Sequence, residues 1–366
     1  MMTMDCDVCI IGGGPSGLAA AWQAGKTGLS VIIVDENQML GGQLKQQRQP
    51  IQNLPDIFTN QQLTGFELAH ELIHLIEPYD IKPLTGFSFI GVEADGTIGV
   101  NNGRETRKIR AKCIIVATGA AEEPILFPGW TLPGSFSIGA MQILINREKI
   151  VPGRTAVMIG SSSRTCQVAS EMQQAGIIIA GVIEEKAKFD CSPSDLQHLK
   201  KLNIPLFAGV SKIRAEGEEE VENIHFKAGD GKEQSINTEL VCIDGGLSPV
   251  VESNFILGYQ LQFNSDLGNW IPSYDSCFHT SAPNVFVAGN AAGITSHGAI
   301  LITGLIAGLS AAEALGKYSN KETVSKQRKK WWNELKTVEM AYDSTVYQAR
   351  IQHVKQFEQL KIKQMS

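Results

Sequence analysis

The chain carries no excess of positive charge. Its 32 Lys and Arg are outnumbered by 38 Asp and Glu, a formal net charge of −6, so the balance gives no reason to expect nucleic acid. Cysteine is scarce and odd in number, seven in 366 residues, which builds no disulfide framework. A cationic leader is missing as well. The first apolar run is short, is flanked by Asp5 and Asp7, and passes straight into a glycine turn, so no secretory signal is expected and the chain reads as cytoplasmic. Long apolar runs are rare. The stretch Gly298 to Leu315 is apolar enough to test as a membrane span, but Gly298, Gly304 and Gly308 suit a buried, closely packed helix, and no span is expected. Glycine, by contrast, is plentiful: 36 residues imply many tight turns or close backbone approaches. With 43% hydrophobic and 19% charged residues, the composition is that of a globular enzyme with room for two or three domains.

The first glycines come as a pattern. Val8-Cys9-Ile10-Ile11 feeds Gly12-Gly13-Gly14-Pro15-Ser16-Gly17, which opens an alanine-rich helix. This is the spacing of a Rossmann turn: Gly12 for the tight turn, Gly14 for close approach of a pyrophosphate, Gly17 for packing of helix on strand. The phosphates of a dinucleotide would sit at the positive end of that helix, beside Pro15 and Ser16. Ser30 to Val34 forms a second strand ending in Asp35 and Glu36, where a carboxylate meets the adenosine ribose hydroxyls.

Two other motifs are decoys. Cys6-x-x-Cys9 has the spacing of a redox or metal pair, but it straddles the first strand, where alternation sends neighbouring side chains to opposite faces. His70-Glu71-Leu72-Ile73-His74 fits the His-Glu-x-x-His zinc pattern. It lies on a helix from Phe66 to Ile76 whose apolar stripe is Phe66, Ala69, Leu72, Ile73 and Ile76, so both histidines fall on the polar face with Glu67, Glu71 and Glu77. No metal site is expected.

Strands are expected around 86–92 and 97–100, joined at Ala94-Asp95-Gly96, and at Cys113 to Gly119. The Rossmann plan then repeats. Thr155 to Gly160 leads into Ser161-Ser162-Ser163-Arg164-Thr165 and a helix, then a strand from Ile177 to Ile183 and the acidic pair Glu184-Glu185. Only the first glycine survives; Ser162 and Thr165 stand where the second and third would be. A Cβ at the second position obstructs a pyrophosphate, so tight NAD(P)H binding is not expected. Further strands at 240–246 and 284–293 precede the apolar helix. Beyond Gly316, eleven Lys and Arg face five Asp and Glu, interleaved with Trp331, Trp332, Tyr342 and Tyr347. This predicts a basic helical appendage that docks on an acidic surface of its own chain or of a partner.

Gly12-x-Gly14-x-x-Gly17, Asp35-Glu36, Gly41-Gly42-Gln43-Leu44, Ala117-Thr118-Gly119 and Gly289-Asn290, in that order, resemble the two-dinucleotide-binding-domain flavoproteins of the thioredoxin-reductase-like branch. Phe127 to Gly134, followed by Gly139-Ala140-Met141-Gln142, is most similar to the FAD-containing α-type subunits of amine and amino-acid dehydrogenases, among them the opine, hydroxyproline and sarcosine oxidising complexes and the hydrogen cyanide synthase type. The resemblance implies an α/β fold with two Rossmann-like domains, the second inserted in the first, and a helical C-terminal extension. Residues 1–122 and 247–316 would bind FAD, 123–246 would form a degenerate NAD(P)-type domain, and 317–366 the basic extension. It also implies cofactor contacts at Gly12, Gly14, Pro15, Ser16, Gly17, Asp35, Glu36, Gly42, Gln43, Thr118, Gly119, Gly289 and Asn290. The implied reaction removes a hydride from a carbon bearing an amine, in a complex with a second flavoprotein subunit.

Three features depart from the family pattern. Gly289-Asn290 stands where Gly-Asp is usual, the tail lacks the cysteines of an iron–sulfur module, and the Cys-x-x-Cys of disulfide reductases is absent around Phe136 to Gly139. No general base stands out, although His279 and His297 lie near the returning segment. The alternatives are a free-standing NAD(P)H-dependent flavoprotein reductase and a flavin-binding scaffold without turnover.

Overall fold

In chain order the elements are β1 (Thr3–Ile11), α1 (Pro15–Gly25), β2 (Val31–Asp35), α2 (Gly65–Ile76), β3 (Ile81–Thr85), β4 (Ser88–Val92), β5 (Ile98–Asn101), β6 (Thr106–Val116) and β7 (Ala120–Glu122). They continue as β8 (Ser135–Ser137), α3 (Ile138–Gln142), β9 (Thr155–Ile159), α4 (Ser163–Gln174), β10 (Ile178–Glu184), α5 (Pro193–Lys201) and β11 (Leu206–Ala208). Next come β12 (Ser211–Glu216), β13 (Asn223–Lys227), β14 (Glu233–Asn237), β15 (Leu240–Ile243), β16 (Leu247–Pro249), α6 (Ser253–Leu257), β17 (Leu261–Asn264), β18 (Asn269–Pro272) and β19 (Val285–Val287). Three long helices close the chain: α7 (His297–Ala314), α8 (Lys321–Tyr342) and α9 (Ser344–Met365). This computed structural model describes residues 3–55, 58 and 62–365. The chain forms two compact units, Met1–Ala121 with Ser248–Ser366, and Glu122–Leu247.

The first unit is built on a sheet in the order β3-β2-β1-β6-β5-β4, with β19 also paired to β6. The β1, β2, β3, β6 and β19 pairings are parallel, and β4 and β5 form an antiparallel hairpin. The chain therefore leaves β1 to one side and returns on the other, which opens a crevice at the carboxyl ends of β1 and β6. A bulge resets β1 upstream of it. The N–H groups of Asp7 and Val8 both donate to Ser30 O, at 3.0 and 3.1 Å, so two residues oppose one. Consequently Cys6 and Cys9 share one apolar cluster instead of taking opposite faces. Burial pushes the Cys6 thiol up to about 12 and raises Cys9 well above its ordinary range, so neither is a ready nucleophile.

Helix α7 packs on α1. It is apolar all round, as befits a helix surrounded by protein, and it has the length and apolarity of a membrane span, with 83% of that window buried in the fold. Its glycines permit the contact: a Cβ on Gly304 would lie 2.3 Å from Ser16 O, and one on Gly308 2.4 Å from Ala20 O. On α2 a capping box at Thr64 and Glu67 fixes the start. His70 and His74 are exposed as the polar face requires, and Phe66, expected in the stripe, is 57% exposed and packs on the His70 ring. Residue 66 comes immediately after the buried Gly65 in the first turn, off the buried row of Leu68, Ala69, Leu72 and Ile76.

The second unit repeats the plan: a parallel sheet in the order β11-β10-β9-β15-β8, with a separate antiparallel sheet β12-β13-β14. It has its own apolar clusters, one around Met158, Met172 and Leu199, another around Phe226 and Ile224.

Candidate functional site

The turn after β1 is shaped by three glycines with three different constraints. Gly12 has φ +107°, and a Cβ there would lie 2.3 Å from Ala117 O. A Cβ on Gly17 would lie 2.0 Å from Gly12 O, so the helix can start only where the turn leaves room. At Gly14 a Cβ would meet nothing within 4 Å. Gly14 is also the N-cap of α1, and no side chain caps the helix there. The first N–H groups of α1 therefore face open space at the positive end of the helix, the arrangement that receives a pyrophosphate.

The other sequence-predicted residues gather around this turn. The Ala117 N–H donates to Ile11 O at 2.8 Å, and the Ala288 N–H donates to Val116 O at 2.9 Å, which ties the ends of β1, β6 and β19 together. A Cβ on Gly42 (φ +53°) would sit 3.0 Å from Gly14 Cα. Gln43 is exposed, and its Nε2 donates to Ala120 O at 3.3 Å. Thr118 Oγ1 donates to Val250 O at 3.0 Å, and Gly119 (φ +79°) has open space where a Cβ would be. Gly289 lies on the first turn of α1, since its Cβ would come 2.4 Å from Ser16 Oγ. Its N–H donates to Thr303 Oγ1 at 2.9 Å. Asn290 Oδ1 accepts from the Thr295 N–H at 3.1 Å.

Asp35 is buried and already engaged. Its Oδ2 accepts from the Gly13 N–H at 2.7 Å, and its Oδ1 accepts from Asn37 N and Nδ2 at 2.8 and 3.0 Å. It thus braces the glycine turn, with lone pairs left for a ribose hydroxyl. Glu36 is exposed beside it. His279 is half-buried against the Phe286 ring, and burial lowers its pKa. His297 is the first residue of α7.

The equivalent place in the second unit is closed. Gly160 (φ +96°) keeps the turn, with its would-be Cβ 2.2 Å from Asp244 O, as Gly12 lies on Ala117. Here, however, Ser162 caps α4 itself: its Oγ accepts from the N–H groups of Arg164 and Thr165, at 3.1 and 3.4 Å. The buried Asp244 carboxylate accepts from the Ser162 and Thr165 hydroxyls. Ser161 donates to the buried Glu184 at 2.5 Å. Donors that a pyrophosphate would need are spent within the chain, and the Asp244 carboxylate, where the first turn has Ala117, would repel it.

Sequence reasoning missed a third group of residues. Glu339 on α8 and Arg350 on α9 are both fully buried and paired at 2.8 Å, beside Tyr274 and the backbone of Ala292 and Gly293. Nothing in a tail rich in charge marks one Glu and one Arg for burial. Among the described residues there is no cluster of three or more His, Cys, Asp or Glu that could hold a metal ion.

The residues present fit FAD on the first unit: an open helix N-terminus, a glycine with free space at the phosphate position, and a carboxylate at the end of β2. The family model described as pyridine nucleotide-disulphide oxidoreductase matches residues 6–316. An opine oxidase subunit of Agrobacterium tumefaciens is 28% identical over 329 residues, covering 83% of this chain and 65% of that protein. Hydrogen cyanide synthase subunit HcnB of Pseudomonas protegens is 25% identical over 357 residues, covering 89% of this chain and 74% of that one. The chain spans about two thirds of the length of the opine oxidase subunits, 65% and 64% in two of them. Among solved structures, L-proline dehydrogenase from P. horikoshii matches with a TM-score of 0.71 at 22% identity over 90% of this chain and 59% of that one. Thioredoxin reductase from T. acidophilum matches at 0.66 and 23% identity, over 85% and 99%. At such identities the two structures show the fold. With the family model covering both dinucleotide-binding folds, the chain belongs to the pyridine nucleotide-disulphide oxidoreductase family, with FAD as its cofactor.

Proposed function

We propose that this chain is the FAD-binding subunit of a complex that oxidises an amine or an amino acid to the imine. The observation that carries this reading is the contrast between the two glycine turns. The first, at Gly12 to Gly17, leaves its helix donors open; the second, at Gly160 to Thr165, is capped by Ser162 and lined by Asp244 and Glu184. Among the described residues NAD(P)H has no receptive turn, so the reducing equivalents come from a substrate that reaches the flavin directly. The opine oxidase, hydrogen cyanide synthase and sarcosine oxidase relatives all carry subunit names, which supports a partner chain, a second flavoprotein subunit in this reading.

When bound, FAD supplies the hydride acceptor. The chain's own residues hold it: Gly12, Gly14, Pro15, Ser16 and Gly17 at the pyrophosphate, Asp35 and secondarily Glu36 at the ribose, and Gly42, Gln43, Thr118, Gly119, Gly289 and Asn290 along the flavin and ribityl. Residues 1–122 and 247–316 form the cofactor domain, 123–246 a dinucleotide fold kept for structure, and 317–366 an extension of the first. No side chain is assigned as a general base. The protein works in the cytoplasm.

The test is anaerobic titration of the yellow protein, alone and with its co-purifying partner. Loss of the flavin band with proline, sarcosine or an opine, and none with NADH or NADPH, is the expected result. Bleaching by NAD(P)H alone overturns the reading in favour of a reductase, and no bleaching by anything in the complete complex leaves a scaffold.

A further inference from the structure

The family match ends at residue 316, yet the two helices beyond it reach back to the loop that carries Asn290. Arg350 lies at the centre. Its Nε donates to both Glu339 carboxylate oxygens, at 2.9 and 3.2 Å, and Nη2 lies 2.8 Å from Oε1. The remaining donors leave the helices: Nη1 goes to Tyr274 Oη at 2.7 Å and to Ala292 O at 2.8 Å, and Nη2 to Gly293 O at 3.5 Å. Tyr274 Oη itself donates to Ala292 O at 2.8 Å. Glu339 Oε1 accepts from Thr295 Oγ1 at 2.7 Å, and the Thr295 N–H donates to Asn290 Oδ1.

A buried ion pair is a weak device for stability alone, because desolvation offsets most of the attraction and an apolar pair of similar volume is often as stable. Here all of its outward hydrogen bonds but the one to Tyr274 are directed at one segment, 292–295, which includes Gly293 at φ +116°. That segment also orients a side chain. With Oδ1 taken by the Thr295 N–H, the Asn290 amide is fixed with Nδ2 as its outward donor. An aspartate in that place would present only acceptors.

We propose that the α8–α9 hairpin is a positioning element of the flavin site: the Glu339–Arg350 pair holds the 292–295 segment, and through Thr295 it sets the Asn290 amide as a hydrogen-bond donor toward the cofactor. The proposal rests on the reading that Asn290 contacts FAD. Glu339 and Arg350 touch neither cofactor nor substrate and act only through the loop.

The test is a double-mutant cycle on the full chain, read as the FAD dissociation constant, the flavin visible spectrum and the flavin midpoint potential, with melting temperature as a separate measure of the fold. Replacing the pair by apolar residues, Glu339→Leu with Arg350→Met, is expected to leave a cooperative fold but to weaken FAD binding about tenfold and shift spectrum and potential as Asn290→Ala does. In the Asn290→Ala background the same replacement is expected to add nothing. Wild-type FAD affinity and potential in a folded pair variant overturn the positioning role, as do effects that add independently to those of Asn290→Ala. Should Asn290→Ala itself leave affinity and spectrum untouched, the contact at Asn290 is wrong and the positioning proposal falls with it. Thr295→Val, which removes only the hydroxyl link to Glu339, carries the same expected and overturning results if the pair variant does not fold.

Discussion

Gly14 and Gly17 are separated by two residues and fail differently when given a side chain. Gly14 has φ −73° and ψ −175°, which any residue adopts, and open space where a Cβ would be. Gly14→Thr, which caps a helix about as well as glycine, is therefore expected to leave the flavin-free protein within about 0.5 kcal/mol of wild type while weakening FAD at least tenfold, about 1.4 kcal/mol. Gly17→Ala, with its Cβ against Gly12 O, is expected to destabilise the fold itself by about 1–3 kcal/mol. Chemical denaturation of the apo-proteins with flavin titration separates the two outcomes. His353 is a further residue with a measurable signature. It is fully buried, its Nε2 donates to Pro272 O at 2.9 Å, and its Nδ1 has no partner. Burial pushes its pKa from 6.5 down to about 4, the Pro272 carbonyl opposes the change, and the Arg350 charge adds to it. The unfolded chain takes up a proton below about pH 6.5 and the folded chain does not until about 4. The stability is thus complete above the higher value and declines as pH falls between the two, by about 3 kcal/mol in all. Melting curves from pH 7 to 4 are expected to fall more steeply for wild type than for His353→Phe; parallel curves would clear the ring of responsibility. The glycines and Asp35 were legible in the sequence because their constraints are local, a φ angle or a neighbour in the same βαβ unit. Glu339, Arg350 and His353 were not, since their burial depends on partners some 58 to 81 positions away along the chain for Arg350 and His353.

At the scale of elements, the contact between α1 and α7 carries the site, because Ser16 touches Gly289 on one side and Gly304 on the other. Gly308→Val is expected to wedge the helices apart, costing about 1–3 kcal/mol or more and lowering flavin retention, both visible in one thermal melt followed by flavin fluorescence. The Rossmann strands and α7 could be recognised from their apolar runs and glycine ends. The first half of β6 and the sheet β12-β13-β14 could not. Ile213, Ala215, Ile224 and Phe226 are the buried side of that small sheet, but Lys212, Arg214 and Glu216 alternate with them and dilute the apolar signal to single residues. The irregularity at Asp7 is another such case: it turns Cys6 to the face of Cys9, and only the shared Ser30 acceptor reveals it.

For the whole molecule, the two units differ in how the chain supplies them. Glu122–Leu247 is continuous, whereas the unit with the first glycine turn is assembled from two separate segments, Met1–Ala121 and Ser248–Ser366. Because the second unit holds its own apolar clusters, residues 122–247 expressed alone are expected to fold cooperatively and to bind no flavin. Saturating FAD is then expected to stabilise the full chain, by about 2.7 kcal/mol at one hundred times its dissociation constant, and to leave the melt of the excised segment unchanged. A ligand-induced rise in the excised segment would relocate the site.

The discontinuity also governs how the protein is made. During translation, the glycine turn is made before Gly289, α7 and the Glu339–Arg350 pair, which complete its unit. At ~5–20 residues per second the nascent cofactor fold waits for its own C-terminal segment, while the inserted unit is already complete. Chains interrupted before Gly289 would carry the inserted unit and only the first half of the flavin fold, and are expected to hold no flavin, so the ratio of yellow protein to total chain reports how much of it was made past that point.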